Sequence, residues 1–244
     1  MALKRYCMID FILVCAMIVL SVMIFQKRLD AVEADAKGNA QQKVCFLTFD
    51  DGPGKNTDEI LDILKRYDVK ATFFLIGAEI REENRTQIER IKKEGHGIGL
   101  HSNVHDFNKL YKNVEGCIQD FESQYNTLKK DYGIDTKIFR FPGGSACSYM
   151  HENRQDFIEA MKEKGFICFD WHVSGEDSYG KPTAWSIQKN IFDNLEKYEK
   201  PIILLHDMNI ADATVEAMPG ILEHMIQKGY VFRTLENETE YIYR

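Results

Sequence analysis

From Lys43 onward the chain alternates between short apolar runs and amphipathic stretches, and this alternation restricts its fold more than any other feature. The runs are VCFLTF (44–49), ATFFLI (71–76), HGIGLH (96–101), KIFRF (137–141), FICFDW (166–171), IILLH (202–206) and YVFRTL (230–235). Such runs, rich in β-branched and aromatic residues, read as strands, and strands separated by helical patterns pair in parallel. The helical stretches fall near 58–67, 79–93, 113–131, 152–164, 183–197 and 212–228. Within the first, Ile60, Leu61, Ile63 and Leu64 form one stripe at helical spacing, with Asn56 or Thr57 as N-cap. Gly95, Gly165 and Gly229 stand where C-caps close three of the helices. The predicted fold is α/β, a distorted (β/α) barrel of about seven parallel strands, preceded by an N-terminal transmembrane helix.

The N-terminal expectation comes from Phe11 to Phe25, a run without a charged residue. Extended back to Tyr6 it reaches about 20 residues, the length of helix that spans a bilayer core of roughly 30 Å. Lys4 and Arg5 precede it and Lys27 and Arg28 follow, so the flanking charges set no orientation. Residues 1–25 are read as a membrane anchor, 26–42 as a polar linker, and 43–244 as the catalytic domain. The domain is then extracellular on a single-pass membrane protein. The second reading is a signal cleaved near Ala34-Asp35-Ala36 and a secreted product. The 31 Lys and Arg against 38 Asp and Glu give a net charge of −7 with no basic stripe, which excludes a nucleic-acid partner. Cys7 and Cys15 belong to the apolar segment, and Cys45, Cys117, Cys147 and Cys168 show no disulfide framework.

In parallel α/β folds the chemistry sits at the C-terminal ends of the strands. Those ends carry Asp50-Asp51-Gly52-Pro53, His101 through His105, Arg140 through Ser145, Asp170-Trp171 and His206-Asp207. Asp50 and Asp51 are either a turn signal or two carboxylates facing different ways, one for a metal and one for a substrate. His101 and His105, if their segment makes a helical turn, present both imidazoles on one face. Two His and one carboxylate are a usual ligand set of a catalytic zinc site. No H-E-x-x-H supplies a base, which leaves Asp50 for that task. His206 at the mouth of a buried strand suits a general acid, with Asp177 or another carboxylate of the 170–178 loop holding its proton. Arg140, leaving another strand, is a mate for Asp50 that keeps it ionised.

Taken in order, TFDDGP, HSNVH, RFPGGS, DWHVSGED and LLHD resemble the five motifs of the polysaccharide deacetylases, the NodB-homology domain of carbohydrate esterase family four, over about residues 43–235. The resemblance implies a metal-dependent hydrolase that removes the N-acetyl group from N-acetylglucosamine of a cell-wall polysaccharide, peptidoglycan above all, and releases acetate. It implies a divalent metal on Asp51, His101 and His105: zinc first, with cobalt, nickel or manganese as alternatives. Asp50 is then the general base, His206 the general acid, Arg140 the residue that orients Asp50, and Asp177 the carboxylate that tunes His206. Phe141, Pro142, Gly143, Trp171 and Leu204 are the implied substrate-binding positions, with backbone N–H groups of 141–143 as oxyanion donors. An anchor followed by a short stalk resembles the membrane-anchored peptidoglycan deacetylases of Gram-positive bacteria. Several positions depart from the family pattern. Asp106 follows the second metal histidine in place of proline, and the third motif lacks the tyrosine of some members. Ser174 and Ser178 stand where many members carry Asp and Trp, so the tuning carboxylate is read at Asp177 with Ser174 as the alternative register. An O-acetyl polysaccharide esterase and a catalytically silent glycan-binding domain are the competing functions.

Overall fold

A computed structural model describes residues 43–209 and 211–235. The anchor and linker expected at 1–25 and 26–42 lie outside the described residues. Among the described residues no helix is long and apolar enough to cross a membrane.

The elements are β1 (Lys43–Gly52), α1 (Thr57–Arg66), β2 (Thr72–Leu75), α2 (Arg85–Lys93), β3 (Gly97–Leu100), α3 (Phe107–Leu110), α4 (Val114–Tyr132), β4 (Ile138–Phe139), α5 (Arg154–Glu163), β5 (Ile167–Cys168), β6 (Val173–Ser174), α6 (Ala184–Leu195), β7 (Ile202–His206), α7 (Asp212–Gln227) and β8 (Tyr230–Phe232). Seven strands follow the order β5-β4-β3-β2-β1-β7-β6, and β8 joins the first residues of β1. Every pairing is parallel.

Two corrections to the expected barrel follow. The strand unforeseen in the sequence is β6, whose Val173 and Ser174 pair with Ile203 and Leu204. In addition, the sheet does not close among the described residues: β5 and β6 end the strand order, and the chain passes between them through residues 169–172. Two-residue edge strands offer too few ladder bonds to seal a cylinder, and the result is a half-barrel.

The inner and outer faces of β1 show why the site forms where it does. Cys45, Leu47 and Phe49 face the helices and join the large core with Ile60, Leu64, Ile91, Phe121 and Ile221. The alternate residues face inward. Phe46 packs with Phe74, Ile138, Phe169, Ile202 and Leu235, a cluster built from strands and their extensions alone. Above Phe46, Thr48 and Asp50 continue the same inward column, because side chains repeat every second residue along a strand. The barrel interior therefore changes along one strand from apolar at the base to acidic at the mouth. Gly99 of β3 makes room for this filling, since a Cβ there would lie 2.4 Å from Cδ1 of Phe74.

Most helices match the sequence periodicity, but the stretch expected from 79 becomes an α-helix only at Arg85, after two 3-10 turns at Gly77–Glu79 and Glu82–Asn84, and α3 lies outside the expected stretches. Ile60, Leu61, Ile63 and Leu64 are the buried stripe of α1, and Gly95, Gly165 and Gly229 take φ of 75°, 78° and 80° just past three helices. Asn56 holds the N-cap position of α1 but its side chain caps nothing there; its amide donates to the Met208 carbonyl at 3.2 Å. Cys45, Cys117, Cys147 and Cys168 are free thiols.

Candidate active site

At the C-terminal end of β1 the pairing register slips: Asp50 opposes Phe74 and Gly52 opposes Leu75, so Asp51 is an extra residue. Its φ is 74°. Such a bulge bends the strand and re-aims a side chain. Here it brings two consecutive carboxylates to the same imidazole, that of His101, where regular alternation would have sent them to opposite faces.

Asp51 Oδ1 lies 3.4 Å from Nε2 of His101 and 3.2 Å from Nε2 of His105. The three ligand atoms fall within 4.8 Å of one another. His101 is buried, and its Nδ1 sits 2.9 Å from the Arg140 carbonyl. A carbonyl only accepts, so Nδ1 carries a proton, and in the neutral ring Nε2 presents a lone pair to Asp51. No well-aligned donor reaches Asp51 Oδ1 among the described residues. With both Nε2 atoms unprotonated, the three converging lone-pair atoms repel one another unless a cation lies between them. Separations of 3.2 and 3.4 Å suit four-coordinate zinc, for which bonds of about 2.0 Å put ligand atoms about 3.3 Å apart. The donor set therefore fits a divalent ion. Without an ion, protons take its place: burial alone would raise the Asp51 carboxyl, but the facing imidazoles in their charged form outweigh it and hold it well below the usual carboxylate range. His105 is raised in turn: burial opposes its charged form and the Asp51 carboxylate outweighs that.

The histidine segment is not the helical turn considered from the sequence. Residues 101–105 form a loop in which Ser102 and His105 take φ of 68° and 49°. Asp106, in the place of proline, starts α3, accepting the N–H groups of Asn108 at 3.1 Å and Lys109 at 3.2 Å.

Arg140 is fully buried and spends its guanidinium on four acceptors: Asp50 Oδ1 at 2.7 Å, Thr48 Oγ1 at 2.9 Å, and the carbonyls of Phe169 at 2.7 Å and Asp170 at 3.1 Å. Its cation also lies over the Phe74 ring, 4.2 Å from the centroid. The other Asp50 oxygen points to the metal-ligand side, 3.7 Å from Nε2 of His101.

His206 is the register partner of Asp50 on the neighbouring strand β7, so the two side chains rise at the same level. Its Nδ1–H donates to Asp177 Oδ1 at 2.8 Å, and its backbone N–H donates to Asp177 Oδ2, also at 2.8 Å. The Thr214 hydroxyl adds a third donor to Asp177 at 2.7 Å. Burial would lower the His206 pKa, but the Asp177 carboxylate outweighs it and raises it to about 9. Ser174, the alternative register, uses its hydroxyl locally to accept the Glu176 N–H at 3.0 Å.

The five expected substrate positions divide. Gly143 is exposed at the mouth and Trp171 is half-buried. Phe141 is fully buried with its ring against Phe121, Phe139 and Tyr111. Pro142 and Leu204 are buried too. Of the backbone donors considered at 141–143, Pro142 has none, which leaves those of Phe141, fully buried, and Gly143, exposed. Sequence reading gave no role to Asp207, although it stands in the LLHD run. Asp207 accepts the Thr57 hydroxyl at 2.5 Å, and its backbone N–H donates to the Asp50 carbonyl at 2.7 Å. Burial pushes its carboxyl up to about 7. Asp170, which the sequence marks only by its place at a strand end, accepts both the backbone N–H and hydroxyl of Ser145, at 2.9 and 2.6 Å.

Comparison with known proteins finds polysaccharide deacetylases. Residues 37–167 match the family model described as polysaccharide deacetylase. A peptidoglycan-N-acetylglucosamine deacetylase of Bacillus cereus is 37% identical over 206 residues, covering 82% of this chain and 72% of that protein. The crystal structure of the catalytic domain of a peptidoglycan N-acetylglucosamine deacetylase from Eubacterium rectale superposes with a TM-score of 0.77 at 30% identity, covering 84% of this chain and 94% of that one. A polysaccharide deacetylase structure from Bacillus cereus gives 0.73 at 36% identity, covering 83% and 97%.

Proposed function

The chain belongs to the polysaccharide deacetylase family, hydrolases of carbon–nitrogen bonds, and on that premise we propose that it removes the N-acetyl group of N-acetylglucosamine in peptidoglycan in a metal-dependent reaction. The observation that carries this reading is the convergence of Asp51, His101 and His105 beside Asp50, with His206 at the same level on the adjoining strand. Asp51, His101 and His105 would hold a divalent ion, zinc being the first choice, which when bound would supply Lewis-acid polarisation of the acetyl carbonyl and acidification of a water.

The remaining work belongs to side chains of this chain. Asp50, held by Arg140 at 2.7 Å, accepts a proton from the attacking water as oxygen bonds to the acetyl carbon. Gly143, the exposed residue of the three, is assigned the backbone N–H that faces the oxygen that gains charge. An amide nitrogen cannot leave as an anion, so it needs a proton before the carbon–nitrogen bond breaks. His206 delivers that proton from Nε2, since Nδ1–H is committed to Asp177. The products are acetate and the free amine of the sugar. Two groups in opposite protonation states at one pH are what the reaction needs. Such a substrate lies outside the cell membrane, and we infer an extracellular domain with Phe11–Phe25 as its anchor.

The test is mass spectrometry of peptidoglycan fragments and N-acetylglucosamine oligomers, treated with the chain with and without a chelator. Loss of acetyl groups that the chelator stops and added zinc restores is the expected result. His101→Ala should lose both metal retention and acetate release. Acetate release that persists in metal-free protein, or in His101→Ala, overturns the assignment.

A further inference from the structure

The loop that presents both histidines is short, exposed on one side and bent through two positive-φ residues, Ser102 and His105. Neither is glycine, and such conformations persist only where the surroundings over-determine them. The hydrogen bonds of the loop show what holds it. Its carbonyls are fixed from one side: Ser102 O accepts the Gly77 N–H at 2.9 Å and Asn103 O accepts the Ala78 N–H at 2.7 Å. That approach is close, since a Cβ on Gly77 would lie 2.2 Å from Oδ1 of Asn103. Its donors are gathered from the other side by one carboxylate. Asp120, on the second turn of α4, accepts the Ser102 hydroxyl at 2.7 Å and the Asn103 N–H at 2.7 Å on Oδ1, and the Val104 N–H at 3.1 Å on Oδ2. Ser102 relays the contact onward, because the same Oγ accepts the N–H of His105 at 3.0 Å.

We propose that Asp120 is a positioning residue for the metal loop: it fixes the backbone that aims His105, and with it the His101–His105 spacing, without touching ion or substrate. The inference rests on the metal site read above and extends it to a residue outside the five motifs. A carboxylate is suited to this place because all three groups facing it are donors. An amide would turn an NH2 group toward one of them, and alanine would leave the two backbone N–H groups without an acceptor. Once the loop can relax from its positive-φ shape, the pre-formed ligand spacing is lost, and metal binding must supply the ordering.

The experiment is equilibrium binding of Co2+ and Zn2+ to the full chain, in competition with a chelator, together with the visible absorption spectrum of bound Co2+. Asp120→Asn and Asp120→Ala should each weaken affinity by about 10-fold or more, the usual effect of removing an outer partner of a metal site, and should alter the Co2+ spectrum. Ser102→Ala, which breaks only the relay, should change both in the same direction by less. Asn113→Ala is the control: it removes the N-cap of the same helix, where Asn113 accepts the Gly116 N–H at 2.8 Å, and leaves the loop contacts alone. It should lower thermal stability with little change in metal affinity. Folded Asp120 variants with unchanged affinity and spectrum overturn the proposal, as does an Asn113→Ala chain that loses as much affinity. If Asp120→Ala does not fold, Asp120→Asn and Ser102→Ala decide. A wild-type chain that takes up neither ion fails at the metal site itself, and the proposal falls with it.

Discussion

His206 is surrounded by negative charge, with Asp177 in contact and Asp50 and Asp51 nearby, and this field outweighs the burial that would otherwise strip its proton. The folded-state pKa of about 9 stands above an unfolded value of about 6.5. The group therefore adds stability that is fully present below about pH 6.5 and lost as the pH rises through 9, on the order of 3 kcal/mol in total. Catalysis has the same sign: the acid form needed by the leaving nitrogen prevails at neutral pH and disappears on the alkaline side. In chelator-treated protein, NMR titration of His206 should give a midpoint near 9. Asp177→Asn removes the largest raising influence, so its midpoint should fall by more than about one unit and its stability should depend less on pH between 6.5 and 9. A His206 midpoint that does not move in Asp177→Asn would mean that another group sets the proton affinity, and Asp177 would lose its tuning role.

Elements show which parts of this molecule could be read from sequence. Long amphipathic helices and buried strands announce themselves by period, and α1, α4, α7, β1 and β7 lie within a few residues of their expected places. Short elements do not: Val173-Ser174 has no pattern, and becomes a strand only because β7 offers it a ladder. The site residues could be read as chemistry but not as geometry. Asp50 and Asp51 stand out as carboxylates at a strand end, whereas the bulge that brings both to the His101 imidazole depends on register against β2. His101 and His105 stand out by spacing, whereas their loop is shaped by Asp120, distant in sequence and placed by α4. Glycines after helices were the local signal that carried over directly. At Gly165 and Gly229 an added Cβ meets nothing within 4 Å, while φ is 78° and 80°. Alanine there would cost backbone strain alone, about 1–2 kcal/mol at each site. Urea unfolding should show that loss for Gly165→Ala and Gly229→Ala with kcat/KM unchanged, and unaltered midpoints would refute a left-handed cap at these positions.

At the scale of the whole domain, an open sheet must be held where its ladder stops. Among the described residues neither β5 nor β6 has a partner on its outer side in the strand order, yet the residues joining them, 169–172, lie beside the catalytic mouth. Arg140 meets this need from the barrel interior. It donates to the carbonyls of Phe169 and Asp170, at the end of β5, and to Thr48 and Asp50 on β1. One buried cation thus ties the edge of the sheet to its centre and orients the base in the same set of bonds. Desolvating such a cation is expensive, and the pair with Asp50 offsets that only while every donor is used. Lysine keeps the charge but lacks the planar fork, so it cannot reach Asp50, Thr48 and both carbonyls together. Arg140→Lys should therefore lose roughly 3 kcal/mol in urea unfolding, on the scale of breaking a buried pair. Hydrogen exchange should quicken first at 167–173, ahead of α1 and α7, and kcat should fall more than KM rises because the base loses its orientation. If Arg140→Lys keeps wild-type stability and slow exchange at 167–173, the open edge is held by packing of Phe169 and Trp171 instead, and Arg140 serves Asp50 alone.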